Sequence, residues 1–125
     1  MEGKTVIESM YDVFVEKGME VYYPTQKIGE CESEYVVVKK DGGTAHSFAS
    51  SNIDHYSVLC YVPQARYGDI EKLVMKAKVV MNNLFPLLTQ LGSETPSFYD
   101  ETIKAHMVTI FYKNYKFIDL YETEV

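Results

Sequence analysis

Apolar side chains recur three and four residues apart at Ile70, Leu73, Val74, Ala77, Val80, Met81, Leu84, Leu87, Leu88 and Leu91, with Glu71, Lys72, Lys76, Lys78, Asn82 and Asn83 between them. That spacing predicts a helix from Asp69 to about Leu91, with one stripe buried against a partner and the other side in water. Asp69 is the expected N-cap. Pro86 has no amide hydrogen and costs about 3 kcal/mol inside a regular helix. The helix should therefore break at or before Phe85 and resume as a short second piece. A shorter amphipathic helix is predicted from Thr5 to Lys17, burying Val6, Ile7, Met10, Val13 and Phe14, with Gly18 as its left-handed terminator.

Around these helices the period changes to two. Ile53 to Val62 reads as a strand, with Tyr56, Val58, Cys60 and Val62 on the core face and Pro63 closing it. Met19 to Tyr23, stopped by Pro24, and the β-branched run Tyr35 to Lys39 predict two more strands, paired as an antiparallel hairpin. A fourth begins at Thr102 or Ile103 and ends at Tyr112. The polar stretches Lys40 to Asn52 and Gly92 to Glu101 read as loops, the first of them flexible. Residues 114–125 form a short C-terminal extension whose Tyr115, Phe117, Ile118, Leu120 and Tyr121 are more apolar than a free tail needs, so it either continues the sheet or meets another subunit. The expected fold is a single α+β domain over residues 1–125. It is a small sandwich with a mostly antiparallel four-stranded sheet and helices on one face, in the order α-β-β-β-α-β.

Composition narrows the function classes. A chain of 125 residues suits one domain with a real core. Its net charge of −6 and single arginine, Arg66, argue against a surface for nucleic-acid phosphates. No apolar run is long enough to span a membrane. Cys31 and Cys60 suit a reducing compartment, and no signal-peptide pattern precedes the first helix, so synthesis and assembly are expected in the cytoplasm. The 11 tyrosines, with no tryptophan, supply side chains that pack a ring and still offer a hydroxyl to water or a partner.

Candidate chemistry is sparse. His55 and Cys60 fall on opposite faces of one strand and cannot share an ion, and no local metal-ligand spacing occurs. A metal would need His46, Asp54, His55 and His106 assembled across the fold. Ser47, Ser50 and Ser51 lie near His46, but proximity in a loop supplies neither an oriented base nor oxyanion donors. Asp41, Gly42 and Gly43 belong to no phosphate-binding motif and read as a turn. No catalytic residue, metal ligand or cofactor is expected, and the chain is not expected to be an enzyme.

The succession TVIESMYDVFVEKG, VYYP, YVVVKK, IDHYSVLCYVP, DIEKLVMKAKVVMNNLF and KAHMVTIFY, covering most of the chain, resembles the tail terminator, tail-completion and minor tail proteins of bacteriophages and prophages. The resemblance implies a structural virion protein with no shared catalytic residues. Such a protein oligomerises into a ring, a hexamer in that family, which caps the tail tube, ends its polymerisation and offers the surface for head-tail joining. Its implied partners are copies of itself, the major tail tube protein and a head-completion or neck protein, with no membrane and no specific nucleic acid. Its implied place is the host cytoplasm during assembly and then the virion tail. Residues suited to the assembly contacts are Tyr22, Tyr23, His46, Phe48, Tyr115, Phe117, Ile118, Leu120 and Tyr121. A neck adaptor and a small α+β ligand-binding domain or enzyme stay open as alternatives.

Overall fold

The computed structural model describes residues 4–45 and 51–117. Its elements run α1 (Val6–Glu16), β1 (Val21–Tyr22), β2 (Tyr35–Ala45), β3 (Ser51–Pro63), α2 (Ile70–Met81), β4 (Thr89–Glu94), β5 (Phe98–Asp100) and β6 (Ala105–Phe117). The α+β class stands, and the sheet is corrected from a mostly antiparallel four-stranded one to a mixed sheet of six strands in the order β1-β2-β3-β6-β4, with β5 also on β6.

The first helix begins in a reciprocal cap: the Thr5 hydroxyl accepts from the Glu8 amide while the Glu8 carboxylate accepts from the Thr5 amide. Such a cap satisfies two orphan donors and contributes about 1 kcal/mol. Past Gly18, at φ +74°, the chain enters β1. The hairpin expected between β1 and β2 does not form, because Val21 pairs with Val36 and Tyr22 with Val37 in parallel. A parallel pair needs a crossover of about a dozen residues, and residues 23–34 supply it. Within that crossover the Cys31 amide donates to the Ile103 carbonyl at 2.8 Å.

The longest correction concerns Lys40 to Asn52. Strand β2 continues to Ala45 and β3 starts at Ser51, paired from Gly42–His55 to Ala45–Asn52, with a bulge between Lys40 and Gly42. Gly42 sits at φ +110°, which a side chain rarely adopts, and a Cβ on Gly43 would lie 2.5 Å from an Asp54 carboxylate oxygen. The Asp-Gly-Gly triplet therefore marks a bulge in a strand, for which glycine is as necessary as in a turn.

A second correction follows α2. Residues Gln64–Asp69 form a 3-10 helix ahead of it, and Asp69 holds the expected N-cap position but its side chain caps no amide. Its carboxylate instead accepts from the Arg66 Nε at 2.7 Å. The helix ends at Met81, a 3-10 turn spans Asn82–Leu84, and Phe85 is extended before a cis bond to Pro86. The break falls where expected, since a residue before proline is driven out of the α region. The helix does not resume, and Thr89–Glu94 becomes an edge strand, with β5 following inside the stretch read as a loop.

Both helices cover one face of the sheet. Met10 and Phe14 of α1 and Ile70, Leu73, Val74, Ala77, Val80 and Met81 of α2 pack in one cluster with Tyr56, Val58, Cys60 and Val62 of β3. Val21, Val36, Val38, Leu88, Val108, Ile110 and Tyr112 complete its buried members. The predicted core face of β3 and the predicted stripe of α2 up to Met81 are thus the observed ones. The Tyr112 hydroxyl is buried and is the one such side-chain oxygen or nitrogen among the described residues without a hydrogen-bond partner. An unsatisfied buried hydroxyl costs about 1–3 kcal/mol. Tyr112→Phe keeps the ring and removes that cost, so it is expected to raise stability by about 1 kcal/mol, read as a higher urea midpoint at unchanged slope. A lower midpoint would mean that the hydroxyl has a partner in solution.

Candidate functional site

With the helices on one side, the other face of the sheet carries Tyr22, Val37, Leu59, Tyr61, Met107 and Phe111, all partly buried, with Phe98 57% exposed at its β5 margin. One end of this face is roofed by the 23–34 crossover, where buried Cys31, Tyr35 and Ala105 form a second small core. Beyond the roof, Ser57 and Thr109 of the same face are buried at 2% and 7% exposure, whereas Val37, Leu59, Tyr61, Met107 and Phe111 keep part of their surface exposed.

Beside the roof lies a cleft of about 260 Å³ lined by Lys27, Tyr35, Val37, Lys39, Leu59 and Tyr61 among others. Its wall is aromatic: Tyr35 and Tyr61 stack at 4.9 Å, and Tyr22 meets Tyr35 edge-on at 5.4 Å. These residues meet by register, since Tyr35 is opposite Tyr61 and Val37 opposite Leu59. Burial raises the phenol pKa of both Tyr35 and Tyr61, and the neighbouring Cys31 adds to each. Both remain neutral hydroxyls across the physiological range. The charge at the rim is positive. The Lys27 ammonium sits 5.8 Å from the centre of the Tyr35 ring, and exposed Lys39 lies 3.5 Å from an Asp41 carboxylate oxygen.

The residues proposed from sequence for assembly divide three ways. Tyr22 lies on the open face with its hydroxyl donating to the Glu20 carboxylate, whereas Tyr23 turns to the helix side and stacks on Tyr11 at 4.5 Å. Adjacent strand residues point to opposite faces, so the two rings part here, although Tyr23 also borders the cleft. Tyr115 and Phe117 extend β6, pairing in register with Ile53 and Ser51, which resolves that part of the extension as sheet. His46, Phe48, Ile118, Leu120 and Tyr121 lie outside the described residues.

The chain is similar in fold to a chain of a gene transfer agent virion particle. The likeness has a TM-score of 0.52 at 9% identity, covering 94% of this chain and 88% of the other. No protein-family model and no curated protein sequence matches. At that identity the likeness is one of fold. The fold of this chain is therefore one also found in a virion chain.

Candidate chemistry elsewhere is structural in its surroundings. His106 is held between the rings of Tyr67 at 4.7 Å and Tyr99 at 5.1 Å, with its Nε2 3.2 Å from the Gln64 carbonyl. It ties β6 to the turn before α2. The Cys60 thiol is fully buried in the core, and burial pushes its pKa up to about 12, far from a nucleophile's range. Among the described residues no three His, Cys, Asp or Glu side chains gather to hold a metal ion, and no helix is long and apolar enough to cross a membrane. Sequence reading missed the cleft because its walls come from two strands and a crossover that were assigned to a hairpin. It also missed Met75 and Val79, which are 67% and 70% exposed on the outer side of α2.

Proposed function

We propose that this chain is a structural protein of a phage-like virion, one that assembles into a closed, hexameric ring on the end of a tail tube, stops its growth and presents the surface on which head and tail join. The observation that carries the reading is the likeness in fold, over nearly the whole of both chains, to a virion-particle chain. The open sheet face supports it, because a half-buried apolar surface with tyrosines is suited to contact with another protein. Its partners in this reading are further copies of itself, the tube protein and a neck protein. Its action is mechanical capping, without catalysis or a cofactor. Net charge of −6 suits a ring through which DNA passes without sticking.

The test is assembly. Purified tail tubes grown with the protein present are expected to stop at a narrow length distribution and to show a ring at one end by electron microscopy. Tubes grown without it should run on. Unchanged tube lengths with the protein a monomer at every concentration would overturn the reading. A protein found on the head vertex and absent from the tube end would replace it with the neck-adaptor role.

A further inference from the structure

We propose that the cleft between the 23–34 crossover and the open sheet face is a socket for residues 118–125 of a second copy of this chain. This inference rests on the assembly reading above and names one of its contacts. The socket is apolar in its walls, with Tyr35, Val37, Leu59 and Tyr61, and positive at its rim, with Lys27 and Lys39. The segment Ile118–Val125, IDLYETEV, carries Asp119, Glu122 and Glu124, no lysine or arginine, and the apolar Ile118, Leu120 and Tyr121. In a chain of net charge −6, a cleft whose own charged lining is two lysines is an exception to the general repulsion, and an acidic, apolar peptide matches both features.

Geometry decides whose segment it is. Strand β6 runs away from the socket: Phe117 pairs with Ser51, whereas the socket lies at the rungs of Leu59 with Thr109 and Tyr61 with Met107. Ser51 is eight positions from Leu59 and ten from Tyr61 along β3, or about 27 and 34 Å. Eight residues fully extended span at most about 29 Å. After Phe117 the segment would also have to reverse and cross from β6 over β3 to β2, about 10 Å sideways. Its own copy therefore reaches no further than the near lip, fully stretched, with nothing left to seat between the tyrosines. A neighbour has no such limit. The contact joins one end of a subunit to the other end of the next, a heterologous pairing of the kind that closes into a ring.

Disulfide trapping between full-length chains tests this. Chains carrying Leu120→Cys, mixed with chains carrying Val37→Cys and mildly oxidised, are expected to give a covalent heterodimer. Met75→Cys, on the outer side of α2, should give at least tenfold less. Native Cys31 packs beside Val37 in the roof of the socket, so all chains carry Cys31→Ser, while Cys60 is buried in the main core and leaves the background low. Lys27→Glu with Lys39→Glu should cut the trapped yield at least tenfold, and Asp119→Lys with Glu122→Lys in the other chain should restore it. If Val37→Cys fails to fold by circular dichroism, Leu59→Cys probes the same wall. Trapping no stronger than at Met75, a yield indifferent to the charge changes, or, in a chain carrying both Leu120→Cys and Val37→Cys, a cross-link closing within one chain at high dilution would each overturn the socket. Capped tubes without trapping would sink this inference and leave the proposed function. Trapping by a protein that never caps tubes would do the reverse.

Discussion

Phe14→Ala is expected to remove about 3–5 kcal/mol, the range for truncating a fully buried aromatic side chain. Phe14 and Met10 are the residues of α1 buried completely, with Val6, Ile7, Tyr11 and Val13 packed around them against the core. Phe14 also anchors the exit of the helix, since its carbonyl accepts from the amides of Lys17 at 3.2 Å and Met19 at 3.1 Å on the way into β1. A cavity at that point loosens the helix, the Gly18 turn and the parallel pair that follows. Domains are stable by about 5–15 kcal/mol in total, so the variant should lose a third or more of its margin. Urea unfolding would read this as a fall in midpoint with little change in slope. Val15→Ala, one position along and 51% exposed, is the control and should change stability by about 0.5 kcal/mol or less. A loss below 1 kcal/mol for Phe14→Ala would mean that α1 is dispensable to the core.

What the sequence disclosed, and what it hid, divide along one physical line. Elements that bury one face wrote their period into the chain: the stripe of α2 from Ile70 to Met81, the even positions of β3, and Met10 and Phe14 of α1 are buried as the spacing implied. Elements at an edge or beyond the helices did not. Strand β4, TQLGSE, is exposed over most of its length and pairs irregularly with β6, so nothing apolar announces it. The bulged half of β2 is written in Asp-Gly-Gly, residues that a turn and a bulge both require. Parallel pairing of β1 was hidden because Pro24 and the polar crossover look the same whether the chain turns back or crosses over. The socket was hidden with it, since Tyr35 and Tyr61 become neighbours only through register, and Lys27 joins them only through the crossover.

Alkaline conditions are expected to unfold the protein well before its surface charge alone would. The Cys60 thiol, buried between the helices and the sheet, keeps its proton up to about 12 against an ordinary value of 9.0; burial is the main cause, and the carboxylates of Glu94 and Glu34 push the same way. Below the ordinary value both folded and unfolded chains hold this proton, and stability does not depend on it. Above that value the unfolded chain releases the proton and the folded chain retains it, so stability is lost as pH rises until the folded value is reached. One retained proton changes stability by about 1.4 kcal/mol per pH unit, so the full window costs on the order of 4 kcal/mol. Burial of Tyr35 and Tyr112 raises their phenols as well, and these steepen the loss above the ordinary tyrosine value of 10.0. Urea midpoints of the native chain should therefore fall from pH 9 upward, whereas Cys60→Ala, less stable at neutral pH through its cavity, should fall less steeply, because of the two thiols only Cys31 is then still held up by burial. Parallel pH profiles for the two chains between 9 and 10 would show that the thiol ionises without opening the core, and that the packing of Cys60 against α2 is looser than its burial implies.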